Sequence, residues 1–530
     1  MEELRYALGV ELGSTDLHPE KVPALRTLLA SCLGLVTVQA SSSTMRLFHF
    51  TLQEHLLSDP ALSHSSHSTL AEVCLTYLNF QCVQGLPPTL HSAPETMPFL
   101  EYASYYWAEH TKKGMNENVK ALALRLLNRF DEHISAQLLL LRHNRTRNIL
   151  FSFDSEKGPI GFTGLHGTAF LGIAEIFPAV LKMKEWDINA SDNAWCTPLI
   201  WAALRGHEEV AKMLLERGDV NPDLGDPIWG RSPLSWAAAE GHEGVVKAFL
   251  EREGVNPNRA SPVYGQTALY FAAAYGHGGI VRMILERGGL NPNQQPTRYF
   301  CIPLSIAALN GHEGVVKLFL EREDVDPNLA DTDDYRTPLS NAAVNGYEGI
   351  VKMLLERPDV RIDTRDYKSQ TPLSLALSYG HDKIAMMISE RVDIKSDTAD
   401  PASQESIPRL ARHGEGSVAE AKVSGQPDTN IADHGGEPTL PTSGPNTPDE
   451  VSGYEGSFLD SANAIIPSSQ PSSDPQLLPQ QPLQFRNSSI LGATHPNNAP
   501  PTPSLLVSQA LVTASLVCIL AFLLYFIPFP

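Results

Sequence analysis

In the stretch SPLSWAAAEGHEGVVKAFLEREGVNPN, Ser232 to Asn258, a short segment holding the small pair Ala237-Ala238 ends at Gly241. The next segment places Val245, Val246, Phe249 and Leu250 on one stripe of helical period and charged residues on the opposite face. The spacing predicts two helices. Residues 302–328 repeat the phrase as IPLSIAALNGHEGVVKLFLEREDVDPN. The pattern [TS]-P-L-x-x-A-A has its second position at Pro198, Pro233, Ala268, Pro303, Pro338 and Pro372, at intervals of 35, 35, 35, 35 and 34. Gly206, Gly241, Gly276, Gly311, Gly346 and Gly380 keep the same beat. Thr or Ser is suited to the N-cap, Pro to the first helical position and Gly to the left-handed end of the helix. A two-helix unit of this kind cannot bury its stripe alone, so the pattern predicts a stacked α-solenoid. Trp201, Trp236, Phe271 and Ile306, each one residue before the small pair, are expected in its core.

Three other regions have no such period. Residues 1–150 mix helix and strand. An apolar helical run from about Pro23 to Leu33 is followed by LVTVQ, a Ser-rich turn and MRLFHF, which predicts a β-hairpin. Helical stretches follow near 70–80, 99–113 and 119–130, and a helix followed by a hairpin is the order of a winged helix. Residues 396–504 hold 16 of the 40 prolines and three aromatics, too little apolar area to offset the entropy of ordering, and read as a disordered linker. Residues 505–527, LLVSQALVTASLVCILAFLLYFI, carry no charge over 23 positions and are a candidate transmembrane helix. The expected fold class is therefore mostly α: a winged-helix and helical domain over 1–150, a solenoid over 159–395, the linker and the C-terminal hydrophobic helix.

Composition narrows the function. The chain of 530 residues has 40 basic and 60 acidic side chains, net −20, which disfavours a nucleic-acid surface, and residues 1–60 are themselves net negative. Six scattered cysteines suggest neither a disulfide framework nor zinc and suit a reducing setting. Sequons begin at Asn144, Asn189 and Asn487. The N-terminus lacks a signal peptide, so the expected location is cytoplasmic, with the last helix as a candidate tail anchor to an intracellular membrane. No phosphate-binding loop, G-x-S-x-G elbow or H-E-x-x-H occurs. His207, His242, His277, His312 and His381 come one per repeat, too regular for a metal cluster. No catalytic residue, cofactor, metal or small-molecule substrate is expected.

The pattern TPL-x-x-AA-x-x-GH-x-x-VV-x-x-LL resembles the ankyrin repeat, with six copies over about 235 residues and a degenerate first copy from Thr163 to Ala190 that retains the motif's His at His166. Two departures are Ile, Ser or Tyr in place of His at the fourth position and a period of 35. The resemblance implies a protein-binding scaffold whose first helices and hairpin tips line one face. The tips carry Trp195, Trp229, Tyr264, Tyr299, Tyr335 and Tyr367, and the first helices end with Arg205, Glu240, Tyr275, Asn310, Asn345 and Tyr379. These rings either contact a partner or pack over the neighbouring hairpin. Residues 2 to about 140, through LRYALGVELGS, RLFHFTLQEHL and LEYASYYWAEHT, are similar to the winged helix and helical segment that follow the NACHT domain in fungal NLR-like (STAND) proteins. In that family a His matching His49 touches nucleotide; with no phosphate cradle here, His49 is read as structural or vestigial. The resemblance implies a fragment or short form of such a receptor, with a signalling subunit that works beside a separate NACHT chain as the alternative.

Overall fold

The computed structural model describes residues 2–31, 36–39, 44–47, 60–146, 156–295 and 301–398. It begins with α1 (Glu2–Leu8), α2 (Leu25–Ser31) and an antiparallel ribbon of β1 (Val36–Gln39) and β2 (Thr44–Leu47), in which Val36 faces Leu47 and Gln39 faces Thr44. Five helices follow: α3 (Pro60–Leu78), α4 (Gln81–Gln84), α5 (Leu100–Lys113), α6 (Glu117–Leu127) and α7 (Ile134–Thr146). α3 packs along α5 and α6, and α5 along α7, around the buried rings of Tyr77, Phe80, Phe99 and Trp107. The expected hairpin is formed, but the expected winged helix is not the organising unit. Two four-residue strands are the whole of the sheet among the described residues, and the core is made by the helices. His49 lies outside the described residues.

The repeats follow as helix pairs: α8 (Gly164–Leu171) with α9 (Phe177–Met183), α10 (Pro198–Arg205) with α11 (Glu208–Leu215), and α12 (Pro233–Ala239) with α13 (Glu243–Glu251). Next come α14 (Ala268–Ala274) with α15 (Gly278–Glu286), α16 (Pro303–Leu309) with α17 (Glu313–Leu320), α18 (Pro338–Asn345) with α19 (Glu348–Glu356), and α20 (Pro372–Ser378) with α21 (Asp382–Thr398). First helices stack on first helices from α8 to α20, and second helices stack from α11 to α19. The expected caps form: Thr197, Ser232, Thr267, Thr337 and Thr371 each accept the N–H three residues on, with Pro at the first helical position in four of the five. α16 starts after Ile302, which has no side-chain acceptor, and carries no such cap. Gly206 and Gly346 end their helices at φ 74° and 77°. Trp201, Trp236, Phe271 and Ile306 are buried between neighbouring helices.

The helical bundle runs directly into the array. Phe130 lies 5.8 Å from Phe162 between ring centres, and a Cβ on Gly164 would meet the Leu127 carbonyl at 2.2 Å, so only hydrogen fits there. The degenerate first copy is therefore covered by α6. Among the described residues no helix is long and apolar enough to cross a membrane. The stretch 505–527, expected as a C-terminal hydrophobic helix, lies outside them, as does the linker beyond Thr398.

Candidate functional site

Each of the five described hairpin tips is built around one buried acceptor. Asp226 accepts backbone N–H groups from Ile228 and Trp229 through Oδ1 and from Arg231 through Oδ2, while its own N–H donates to the Arg231 carbonyl at 3.1 Å. Asp192, Asp331 and Asp366 do the same work in their repeats, and Ser261 substitutes with a hydroxyl that accepts from Tyr264 and Gln266. Asp192 also accepts the Trp201 indole N–H at 2.7 Å, tying tip to core. Burial pushes its carboxyl up to about 7, although the N–H bonds from Cys196, Trp201 and Ala194 oppose that shift.

The tips have a second shared feature. Two residues before the N-cap of each described tip the backbone is left-handed: Trp195 (φ 63°), Gly230 (67°), Gly265 (74°), Tyr335 (54°) and Ser369 (60°). Glycine adopts this conformation freely, whereas a bulky residue there is strained by roughly 1–3 kcal/mol. At Gly230 glycine is obligatory, because a Cβ would lie 2.2 Å from Pro262 Cδ of the next tip.

Away from the tips the repeats are riveted to one another. The Nε2–H of His207, His242, His277, His312 and His381 donates to the carbonyl of Phe170, Leu204, Ala239, Ala274 and Val344, each at the end of the preceding first helix. The same rings press on the preceding left-handed glycine: a Cβ on Gly206 would meet His242 Nδ1 at 2.5 Å, and one on Gly241 would meet His277 Cε1 at 2.7 Å. Tyr347 replaces His in one repeat and packs on Gly311 in the same way. Burial holds the His207 imidazole down at about 4. In the first copy, His166 donates to the Ala190 carbonyl and meets Thr163 Oγ1 at 2.8 Å, and burial lowers it to about 4. Where the other repeats carry Ser at that position, Ser235 and Ser340 pair with the N-cap hydroxyls of Ser232 and Thr337. A further zipper uses the NPN and DPN segments: Asn258, Asn293 and Asn328 donate to the carbonyls of Gly289, Asp324 and Asp359 in the following loops. Asn189 belongs to this zipper through both amide atoms.

The twelve candidate partner-binding residues divide into groups. Trp195 and Tyr335 are 44% and 58% exposed. Tyr275 and Tyr379 are also exposed at the ends of α14 and α20. Trp229 and Tyr264 are half-buried and stack on each other at 5.7 Å, and Lys368 Nζ lies 5.0 Å above the Tyr367 ring. Arg205 is exposed, with its guanidinium over Phe170, while Glu240 is half-buried. Asn310 donates to the Ala274 carbonyl and Asn345 to that of Asn341, so both hold backbone. Tyr299 lies outside the described residues. Sequence reasoning missed Arg231, 3% exposed, whose guanidinium lies 5.0 Å from the Trp236 ring and 4.5 Å from that of Phe271. Desolvation lowers its pKa from the ordinary value. The tip carboxylates were also missed; their signal is an Asp five or six residues before the N-caps Thr197, Ser232, Thr337 and Thr371.

Among the described residues no group of three or more His, Cys, Asp or Glu side chains could hold a metal ion. The family described as "Ankyrin repeat" matches residues 195–227, and "Ankyrin repeats (3 copies)" matches residues 218–296 and 304–398. Ankyrin-repeat modules are thus present, and they support a protein-interaction role and a non-enzymatic chain. No family match covers residues 1–194, so neither the winged helix nor the link to NACHT-containing NLR-like receptors is supported. A search of curated proteins found no match. The membrane partner, the tail anchor and the location that went with it are not supported: among the described residues no helix is long and apolar enough to cross a membrane, residues 505–527 lie outside them, and the fold does not specify a cytoplasmic site.

Proposed function

We propose that this chain, which carries ankyrin repeats from residue 195 to residue 398, is a non-enzymatic scaffold holding a protein partner across its hairpin tips and the ends of its first helices. The observation that carries this reading is the division of labour within each repeat. The His, Gly and Asn positions are spent on neighbouring repeats, whereas Trp195, Tyr275, Tyr335 and Tyr379 turn large rings to solvent. Rings of this kind supply much contact area for little lost rotamer freedom and are enriched where interfaces gain most of their energy.

The test compares the full chain with a Trp195→Ala/Tyr275→Ala/Tyr335→Ala variant in affinity capture followed by mass spectrometry. Proteins retained by the first and lost by the second, with equal circular dichroism and melting, are expected. Identical capture profiles would place the interaction elsewhere on the molecule.

A further inference from the structure

Five tips are described at the position two residues before the N-cap, and all five are left-handed. Two use glycine, one uses serine, and two use the bulkiest choices, Trp195 and Tyr335, which stand 140 residues apart, four periods of 35. Nothing in the fold of the tip demands a ring there, because Gly230 and Gly265 close the same turn without one. Packing does not demand it either. Among the described residues neither Trp195 nor Tyr335 stacks on another ring or lies beneath a cation, unlike Trp229 on Tyr264 or Tyr367 under Lys368. A strained backbone that presents an exposed, uncovered ring points outward, to what the ring could touch.

Resting on the reading above, we infer that Trp195 and Tyr335 are the two specificity-determining contacts of the array, and that each receives an arginine side chain from an extended segment of a protein partner. The ring face attracts cations, and guanidinium stacks flat on it. Elsewhere in this chain the rings take that kind of cover: Arg142 over Tyr105 at 4.6 Å, Arg205 over Phe170 at 4.9 Å and Arg231 over Phe271 at 4.5 Å. The net charge of −20 and the exposed Asp333 carboxylate two residues from Tyr335 favour a cationic segment over an acidic one. First helices packed at about 8–10 Å place these two tips roughly 30–40 Å apart, a span for about a dozen extended residues.

The experiment selects a phage-displayed random peptide library on the immobilised full chain and measures the recovered peptides by fluorescence anisotropy. Arginine enrichment is expected, and replacing that arginine by citrulline should weaken binding about tenfold. Trp195→Gly and Tyr335→Gly should each weaken binding about tenfold while raising the melting temperature by about 2–4 °C. Trp195→Ala should lose the binding without the gain in melting temperature, since alanine keeps the backbone strain. The inference is overturned if no arginine is selected, if citrulline peptides bind as well, or if the glycine variants bind unchanged or melt lower. Should binding survive both glycine variants yet vanish in Tyr275→Ala, the inference fails while the repeats still stand as a partner-binding surface.

Discussion

The spine of histidines and the row of hairpin tips are built by the same repeats, yet they treat sequence differently. Along the spine, five repeats carry His and one carries Tyr, and every described ring reaches back to the same place on its predecessor. At the tips the inner acceptor is nearly constant, Asp in four repeats and Ser in one, while the outer residue varies among Trp, Gly, Tyr and Ser on an unchanged backbone. The difference teaches where constraint arises. A position used by the next repeat has one solution, and a position facing solvent has many.

Substitution in the spine should break that contrast most severely. Gly206→Val introduces side-chain atoms where His242 Nδ1 already stands 2.5 Å from an ideal Cβ, at a φ of +74°, and should destabilise the array by about 3–4 kcal/mol in urea denaturation. Asp226→Ala attacks the constant part of a tip and strands three N–H groups; a loss of about 2–3 kcal/mol is expected, with Asp226→Asn recovering part of it. If the alanine variant melted like the parent, the tips would not depend on their inner carboxylate.

Acid should loosen the array at its first repeats, where His166 and His207 are buried. His166 and His207 are held neutral by burial, with folded values lowered to about 4 against about 6.5 when unfolded. The unfolded chain therefore binds more protons between those values, so stability is full above about pH 6.5 and is lost as pH falls toward 4. Between pH 7 and 5 each His should remove on the order of 1–2 kcal/mol, and His207→Gln should flatten the slope of melting temperature against pH. The smallest effect is expected from Tyr275→Ala and Tyr379→Ala, exposed rings whose loss should change stability by under about 0.5 kcal/mol. A large change on either would assign that ring to the packing of the array.

The parts legible in the sequence were those governed by neighbours in the chain. Thr197-Pro198 and Gly206 mark a helix within nine residues of one another, and the burial of Trp201 and Trp236 follows from their place before the small pair. Hydrogen bonds that cross a whole repeat were not legible: His242 to Leu204 spans 38 positions, and the histidines read only as one regular position per repeat. The left-handed backbone at Trp195 and Tyr335 was hidden because neither residue type signals it. Only alignment with Gly230 and Gly265 exposes the shared position. The N-terminal region misled for a related reason. Its hairpin is present, but a strand-turn-strand pattern does not say what the strands pack against, and α3, α5 and α6 supply the core.

The imidazole contacts all point one way, each unit grasping the one before it. Tension applied at α21 would therefore tear the His381 clasp on Val344 first and leave its predecessor intact, so that the array comes apart like an unpeeled stack, one rung per step, and re-forms from whichever rungs survive.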